Sequence, residues 1–477
     1  MLENMRNAKL GKQGTTFNLP HDSPMLAPGF TFGVTTSAYQ IEGAAQTDDR
    51  IESIWDRFCK TDGKIKHQHN GDIACDHYKL WQQDCDLIAN LGVDAYRLSV
   101  SWVRVIKEDG TLNNKGVDFY KKLLQRLQEL GIKSYVTLYH WDLPQHLEDR
   151  GGWLNRDTAY RFADYADKFS QQVGGQCFSI ATLNEPWCSA FLGYGLGEHA
   201  PGLTGDKNAK QAGHHLLLGH GLAMQVLRTN APNSKLGIVL NMAPASPLSE
   251  RYDDKIAAKI AEAGGNNWFL EPLIEGRYPD IINRIKPEEQ PSVLDGDMQL
   301  ISTSLDFIGI NYYTRIICSY DKDHLIKLHK NELAEHTDIG WEIYPQGLTD
   351  ILVDLNQQYS NLPELLVTEN GAASADVLEN GEVHDEQRCR YLDYHLQAVD
   401  KAIRQGVNVS GYFVWSLMDN FEWAEGYTKR FGLYHVDFET GQRTPKTSAH
   451  VYKNFLALRN NVLSGAKTIA SSASQEM

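Results

Sequence analysis

Leu365-Leu366-Val367-Thr368-Glu369-Asn370-Gly371 is an apolar run that stops on a carboxylate and is cut off at once by a turn glycine. Such a run reads as a buried parallel strand that delivers Glu369 to its C-terminal end. Phe178-Ser179-Ile180-Ala181-Thr182-Leu183-Asn184-Glu185-Pro186 repeats the design: it is apolar, ends on Glu and is broken by proline. A single glutamate at a strand end is an ordinary solvated charge in a chain with 61 acidic residues. Two in matched contexts, presented on one face of one sheet, point to chemistry.

Working outward from these two strands, the chain falls into a repeating unit of helix and strand. Leu80, Leu87, Ile88 and Leu91 stand at helical spacing before Gly92, and Ala95-Tyr96-Arg97-Leu98-Ser99-Val100 follows as a strand. Val117, Tyr120, Leu123, Leu124, Leu127 and Leu130 lead likewise into Ser134-Tyr135-Val136-Thr137-Leu138, and Phe162, Tyr165, Ala166, Phe169 and Val173 lead into the Glu185 strand. Further strands are expected at 30–36, 235–241, 307–313 and 409–415, with a helix through Leu392, Leu396, Val399 and Ile403 before the last. Eight strands separated by helix-compatible sequence predict an α/β fold, a single (β/α)8 TIM barrel with long βα loops. Residues 1–24 read as a polar lead-in, 25–460 as the barrel domain and 461–477 as a flexible Ala/Ser-rich tail. In such a barrel the C-terminal strand ends share one mouth, so Gln40, His140, Asn184, Glu185, Asn241, Tyr313, Glu369 and Trp415 are expected to converge there.

Composition narrows the function. Lys plus Arg is 46, the net charge is −15, and no basic run would track a phosphate backbone, which argues against nucleic acid and anionic membranes as partners. No stretch has the length of a membrane span and no export signal is seen, so a cytoplasmic enzyme is expected. Seven scattered cysteines without C-x-x-C spacing fit reduced buried thiols. His214, His215 and His220 sit in a Leu-rich helical stretch without a metalloprotease pattern, so no metal is expected.

Four motifs in order make the reading specific: Y-Q-I-E-G at 39–43, Y-R-L-S-V-S-W at 96–102, V-T-E-N-G at 367–371 and W-S-L-M-D-N-F-E-W at 415–423. With T-L-N-E-P at 182–186, they make the chain resemble glycoside hydrolase family 1, the β-glucosidase family, over roughly residues 25–460. Departures are small: Val103 stands where many relatives have proline, and Arg50-Ile51-Glu52-Ser53 replaces a turn richer in glycine and proline. The resemblance implies a retaining β-glycosidase that needs no cofactor and acts on small β-glucosides and short cello-oligosaccharides, with β-galactosidase or β-fucosidase side activity. It implies Glu369 as nucleophile and Glu185 as acid/base, supported by Arg97, Asn184 and Tyr313. It assigns Gln40, His140, Asn241, Trp415, Glu422 and Trp423 to the bound sugar and Trp187 and Trp341 to the leaving-group side. Two alternatives stay open: an enzyme that mainly transfers glycosyl groups, and a sugar-binding relative without catalysis.

Overall fold

The computed structural model describes residues 16–285 and 287–473. Residues 1–15 of the lead-in and 474–477 of the tail lie outside the described residues. Eight strands form a closed barrel: β1 (Thr31–Thr35), β2 (Ala95–Ser99), β3 (Lys133–Tyr139), β4 (Ser179–Asn184), β5 (Lys235–Asn241), β6 (Phe307–Asn311), β7 (Glu364–Asn370) and β8 (Val409–Trp415). Each pairs in parallel with its neighbours in sequence, and β8 closes on β1 with Phe32 opposite Tyr412. Long helices return the chain between strands, among them α1 (His77–Leu91), α2 (Asn114–Glu129), α3 (Asp157–Val173), α4 (Asp206–Asn230), α5 (Pro345–Gln358) and α6 (Glu386–Arg404). All eight expected strands are present. The expected sixth is shorter, because Tyr312 and Tyr313 lie past the end of β6; Tyr313 reaches the cavity at the mouth, while Tyr312 turns outward against Tyr344 and His395.

The barrel floor is filled by Ala95, Tyr135, Ala181, Val239, Phe307, Leu366 and Phe413, all buried and in mutual contact. Large and small side chains alternate to make this possible. A Cβ on Gly33 would lie 2.3 Å from the Phe413 ring, so glycine on β1 is what admits the phenyl group on β8. The floor is therefore solid, and any ligand must enter from the other end.

A final helix, α7 (Thr447–Ala473), runs past residue 461 into the segment read as a tail. The last residues of the lead-in are tied down: the Phe17 ring packs 5.7 Å from Phe455 of α7, and the Asn18 amide donates to Asp393 of α6. The Arg50–Ser53 departure also has a structural account. Ser53 and Asp56 form a capping box at the start of the helix Ile54–Phe58, and Arg50 pairs with Asp56 at 2.8 Å. Among the described residues no helix is long and apolar enough to cross a membrane.

Candidate active site

Near the C-terminal ends of the strands the interior changes from apolar to ionisable. Glu369, near the end of β7, is buried, and both its oxygens accept hydrogen bonds: Oε1 from the Arg97 guanidinium of β2 at 2.6 Å, Oε2 from the Tyr313 hydroxyl at 2.7 Å. A buried carboxylate is tolerable only when paired and hydrogen-bonded in this way. The second Arg97 nitrogen donates to Asn184 Oδ1 at 2.6 Å, so one guanidinium aligns groups on β2, β4 and β7.

Glu185 follows β4 directly. Its φ of 44° is left-handed, a conformation that costs a non-glycine residue roughly 1–3 kcal/mol and recurs at functional sites. Its backbone N–H still donates to Val239 of β5 at 2.9 Å, so the residue is pinned as it turns off the strand. Oε1 accepts from Asn311 Nδ2 at 2.7 Å, and the Cys188 sulfur lies 3.1 Å from Oε2. Burial, reinforced by the charge of Glu369, pushes the Glu185 carboxyl up to about 7, against the opposing pull of Asn311, Cys188 and Arg97. One carboxyl is held against a cation and the other is driven toward its acid form. That division of labour is the environment a nucleophile and a proton donor need.

A cavity of about 510 Å³ opens over the pair. It is lined by His140, Asn184, Glu185, Trp187, Asn241, Tyr313, Trp341, Glu369, Trp415, Glu422 and Trp423, so nearly every residue singled out from the sequence faces one space. Its size and its mixture of indole rings with a few convergent polar groups suit a small polar ligand.

A family model, "Glycosyl hydrolase family 1", matches residues 23–461. The chain belongs to glycosyl hydrolase family 1. The Beta-glucosidase A of Thermotoga maritima is 43% identical over 440 residues, covering 91% of this chain and 98% of that protein. The bifunctional beta-D-glucosidase/beta-D-fucosidase of Bifidobacterium breve is 44% identical, with the same two coverages. A solved structure of the Thermotoga maritima family 1 glycoside hydrolase, complexed with a cyclophellitol analogue transition state mimic, superposes with a TM-score of 0.89 at 41% identity, covering 93% of this chain and 99% of that one.

Within this family 1 enzyme the remaining polar groups are ordered by few contacts. Asn184 Nδ2 donates to His140 Nε2 at 3.2 Å, which makes Nε2 an acceptor and puts the imidazole proton on Nδ1. That Nδ1 is buried without a protein partner, and burial followed by the Arg97 charge holds the ring neutral. The ring lies near-parallel to Trp415 and Trp423, with centroids 6.1 and 5.9 Å away. Glu422 has a sealed oxygen, Oε2, with no hydrogen-bond partner, and burial with Glu369 and Glu185 nearby pushes its carboxyl up to about 8. Its loop is anchored from below by Asp419, which accepts from the buried Lys446 and from Arg430, each at 2.6 Å.

Two expected site residues stand behind the cavity rather than in its wall. Arg97 lies behind Glu369, to which it donates. Gln40 is fully buried with its amide engaged: Nε2 donates to Asn420 Oδ1 at 3.0 Å and to the Phe421 carbonyl at 2.8 Å, and Oε1 accepts from Ser37. In this arrangement it braces the loop that carries Glu422. Sequence reasoning missed Asn311 and Cys188, the two groups that touch the Glu185 carboxyl. Asn311 is one of three polar residues in N-Y-Y at the end of β6, with nothing in the sequence to single it out; Cys188, three residues past Glu185, carried no signal of its own. The three histidines of α4 are engaged elsewhere: His214 with Tyr278 and Asp297, His215 with the Trp153 carbonyl, His220 with Thr182.

Proposed function

We propose that this enzyme hydrolyses terminal β-D-glucosyl residues by double displacement, with Glu369 as nucleophile and Glu185 as acid/base. The observation that carries the reading is the asymmetry of the pair: Glu369 bonded to Arg97 and Tyr313, Glu185 raised to about 7 beside it. Attack of Glu369 on the anomeric carbon forms a glycosyl ester while Glu185 gives its proton to the departing oxygen. Esterification removes the Glu369 charge, which lowers the affinity of Glu185 for a proton. The same residue then serves as base toward the incoming water.

The surrounding groups fit a pyranose. Asn184 spends one Nδ2 hydrogen on His140 and keeps the other for the sugar 2-hydroxyl, a contact that strengthens in the transition state. His140 Nδ1–H and the unpartnered Glu422 Oε2 are placed for ring hydroxyls, Trp415 and Trp423 for the sugar's C–H face, and Asn241 completes that side. Gln40 contributes through the Asn420–Phe421 segment. Trp187, stacked on Phe191 at 5.6 Å, and Trp341, 5.2 Å from Tyr313, flank the leaving group. β-Fucosides and β-galactosides are accepted at lower rates, the first in keeping with the dual activity named for the Bifidobacterium relative. Both carboxyls in place argue against a sugar-binding relative without catalysis. Seven free, buried cysteines favour a reducing, cytoplasmic setting.

Product stereochemistry tests the reading. A direct displacement requires carboxyls ~5–5.5 Å apart, whereas an intervening water needs ~6.5–9.5 Å. Proton NMR of a fresh digest of an aryl β-glucoside should show β-glucose first. Early α-glucose would remove the retaining mechanism.

A further inference from the structure

We propose that Cys188 is a positioning residue that sets the proton affinity of Glu185 and so the alkaline limit of activity. The inference rests on the reading of Glu185 as acid/base given above, and it starts from the two oxygens of that carboxyl. Asn311 Oδ1 accepts from the Thr368 hydroxyl at 2.7 Å, which fixes the amide so that Nδ2 faces Glu185 Oε1. An amide N–H can only donate, so Oε1 is permanently an acceptor. The carbonyl oxygen of a carboxylic acid is the better acceptor, so the Asn311 donor favours the proton on Oε2, the oxygen that Cys188 Sγ faces at 3.1 Å.

A thiol suits this place because it works in both directions. When Glu185 is ionised, S–H donates to Oε2; when Glu185 is protonated, sulfur accepts weakly from Oε2–H. Burial and the adjacent carboxylates hold the thiol well above its ordinary range, so it stays S–H and is neither nucleophile nor base. The residue is fixed by the backbone as well: Cys188 N–H donates to the Glu185 carbonyl at 2.9 Å, so the thiol and the carboxyl it faces belong to one turn. The other ionisable groups around Glu185 come from every side of the mouth: Arg97 from β2, His140 after β3, Glu369 from β7, Tyr313 after β6 and Glu422 after β8, with Glu198, His199 and Glu425 also lining the cavity. Among the described residues Cys188 is the one side chain hydrogen-bonded to Oε2, and it is none of these groups.

A donor to the ionised form lowers proton affinity, so its removal raises it. The alkaline limb of kcat/KM against pH reports the acid of the free enzyme. Cys188→Ala should move that limb up by roughly half a pH unit, the size expected for one weak hydrogen bond. Cys188→Ser, a stronger donor of similar shape, should leave it unmoved or move it down. The acidic limb should stay put in both. A loss of kcat/KM that is uniform across pH, with the limb unmoved in folded Cys188→Ala, would mean that the thiol only fills space and would overturn the proposal. If alanine does not fold, Cys188→Val gives the same readout. Failure of the underlying reading looks different: on a phenyl glucoside, whose leaving group needs a proton, the residual activity of Glu185→Gln should have no alkaline limb. A limb that persists in Glu185→Gln would show that another group is the acid, whatever the Cys188 variants do.

Discussion

The two ends of the barrel interior are built from the same eight strands and obey opposite rules. At the floor, seven side chains contribute nothing ionisable except the phenol of Tyr135, and a glycine on β1 gives way to a phenyl group on β8. A few residues on, the same strands deliver Arg97, Asn184, Asn311 and Glu369, with Glu185 in a left-handed conformation and one oxygen of Glu422 sealed without a partner. The floor follows the ordinary logic of burial, in which every contact favours the fold. The mouth crowds carboxyl groups together out of water, so that ionising Glu185 or Glu422 is costly in the folded state, an arrangement of use to chemistry. Stability and function are thus separated along the barrel axis, and substitutions at the two ends should report them separately.

The largest effect expected is at Glu369, proposed above as the nucleophile. Glu369→Ala should lower turnover of every glycoside by at least about four orders of magnitude while the protein stays folded. A small anion such as azide should restore part of the cleavage by entering the vacated space, giving an α-glycosyl product. Phe413→Ala at the floor should do the reverse, destabilising by roughly 3–5 kcal/mol while each folded molecule keeps its chemistry. Denaturant melts with active-site titration check both. If Phe413→Ala lowered kcat of the folded fraction as strongly as it lowered stability, the separation would be broken.

Next in size is Glu185, proposed above as the proton donor. Glu185→Gln should lower kcat/KM for alkyl and sugar leaving groups by about two to four orders of magnitude and leave the first step with dinitrophenolate nearly intact. Equal losses for both kinds of leaving group would mean that the two glutamates have been assigned the wrong roles. A smaller but still large ratio concerns the sugar itself. A 6-phosphate would bring two charges against a cavity already lined by Glu185, Glu369 and Glu422, so an aryl β-glucoside should exceed its 6-phosphate in kcat/KM by about two orders of magnitude. Initial rates on the pair of substrates decide it, and a preference for the phosphate would displace Glu422 from the sugar site.

The same contrast explains what could be read without a structure. Buried parallel strands are continuous apolar runs closed by Gly, Asn or Pro, so the eight strands were legible, and so were the two glutamates that interrupt such runs. Asn311 was not, because N-Y-Y at the end of β6 offers three polar groups. Which of them points inward depends on pleat and on register against β5 and β7, with Asn311 opposite both Asn241 and Glu369. Gln40 shows the same limit differently. Its residue type suits a sugar hydroxyl, but its amide is claimed by Asn420 and Phe421, partners far along the chain. The contact between Cys188 and Glu185 exists only because the chain turns sharply after β4.

The smallest effect expected tests whether the mouth opposes folding. Glu422 has a carboxyl pushed up to about 8, first by burial and then by Glu369 and Glu185, against about 4.3 in an unfolded chain. Between these values the folded protein holds a proton that the unfolded chain has released. The slope of stability with pH is then negative: full stability is present below about pH 4.3 and is lost progressively as pH rises toward 8, at up to roughly 1.4 kcal/mol for each pH unit. Glu422→Gln keeps the shape and removes the titration. It should match the wild type near pH 4 and melt roughly 2–5 °C higher at pH 8.5, even as activity on glucosides falls. Phe413→Ala, acting where nothing titrates near these values, should show an offset from wild type that does not change with pH. Melting curves of the three ligand-free proteins from pH 4 to 9 make the comparison. A constant offset between Glu422→Gln and wild type would show that Glu422 is ionised at little cost in the folded protein, and that the mouth is less opposed to folding than its buried carboxyls imply.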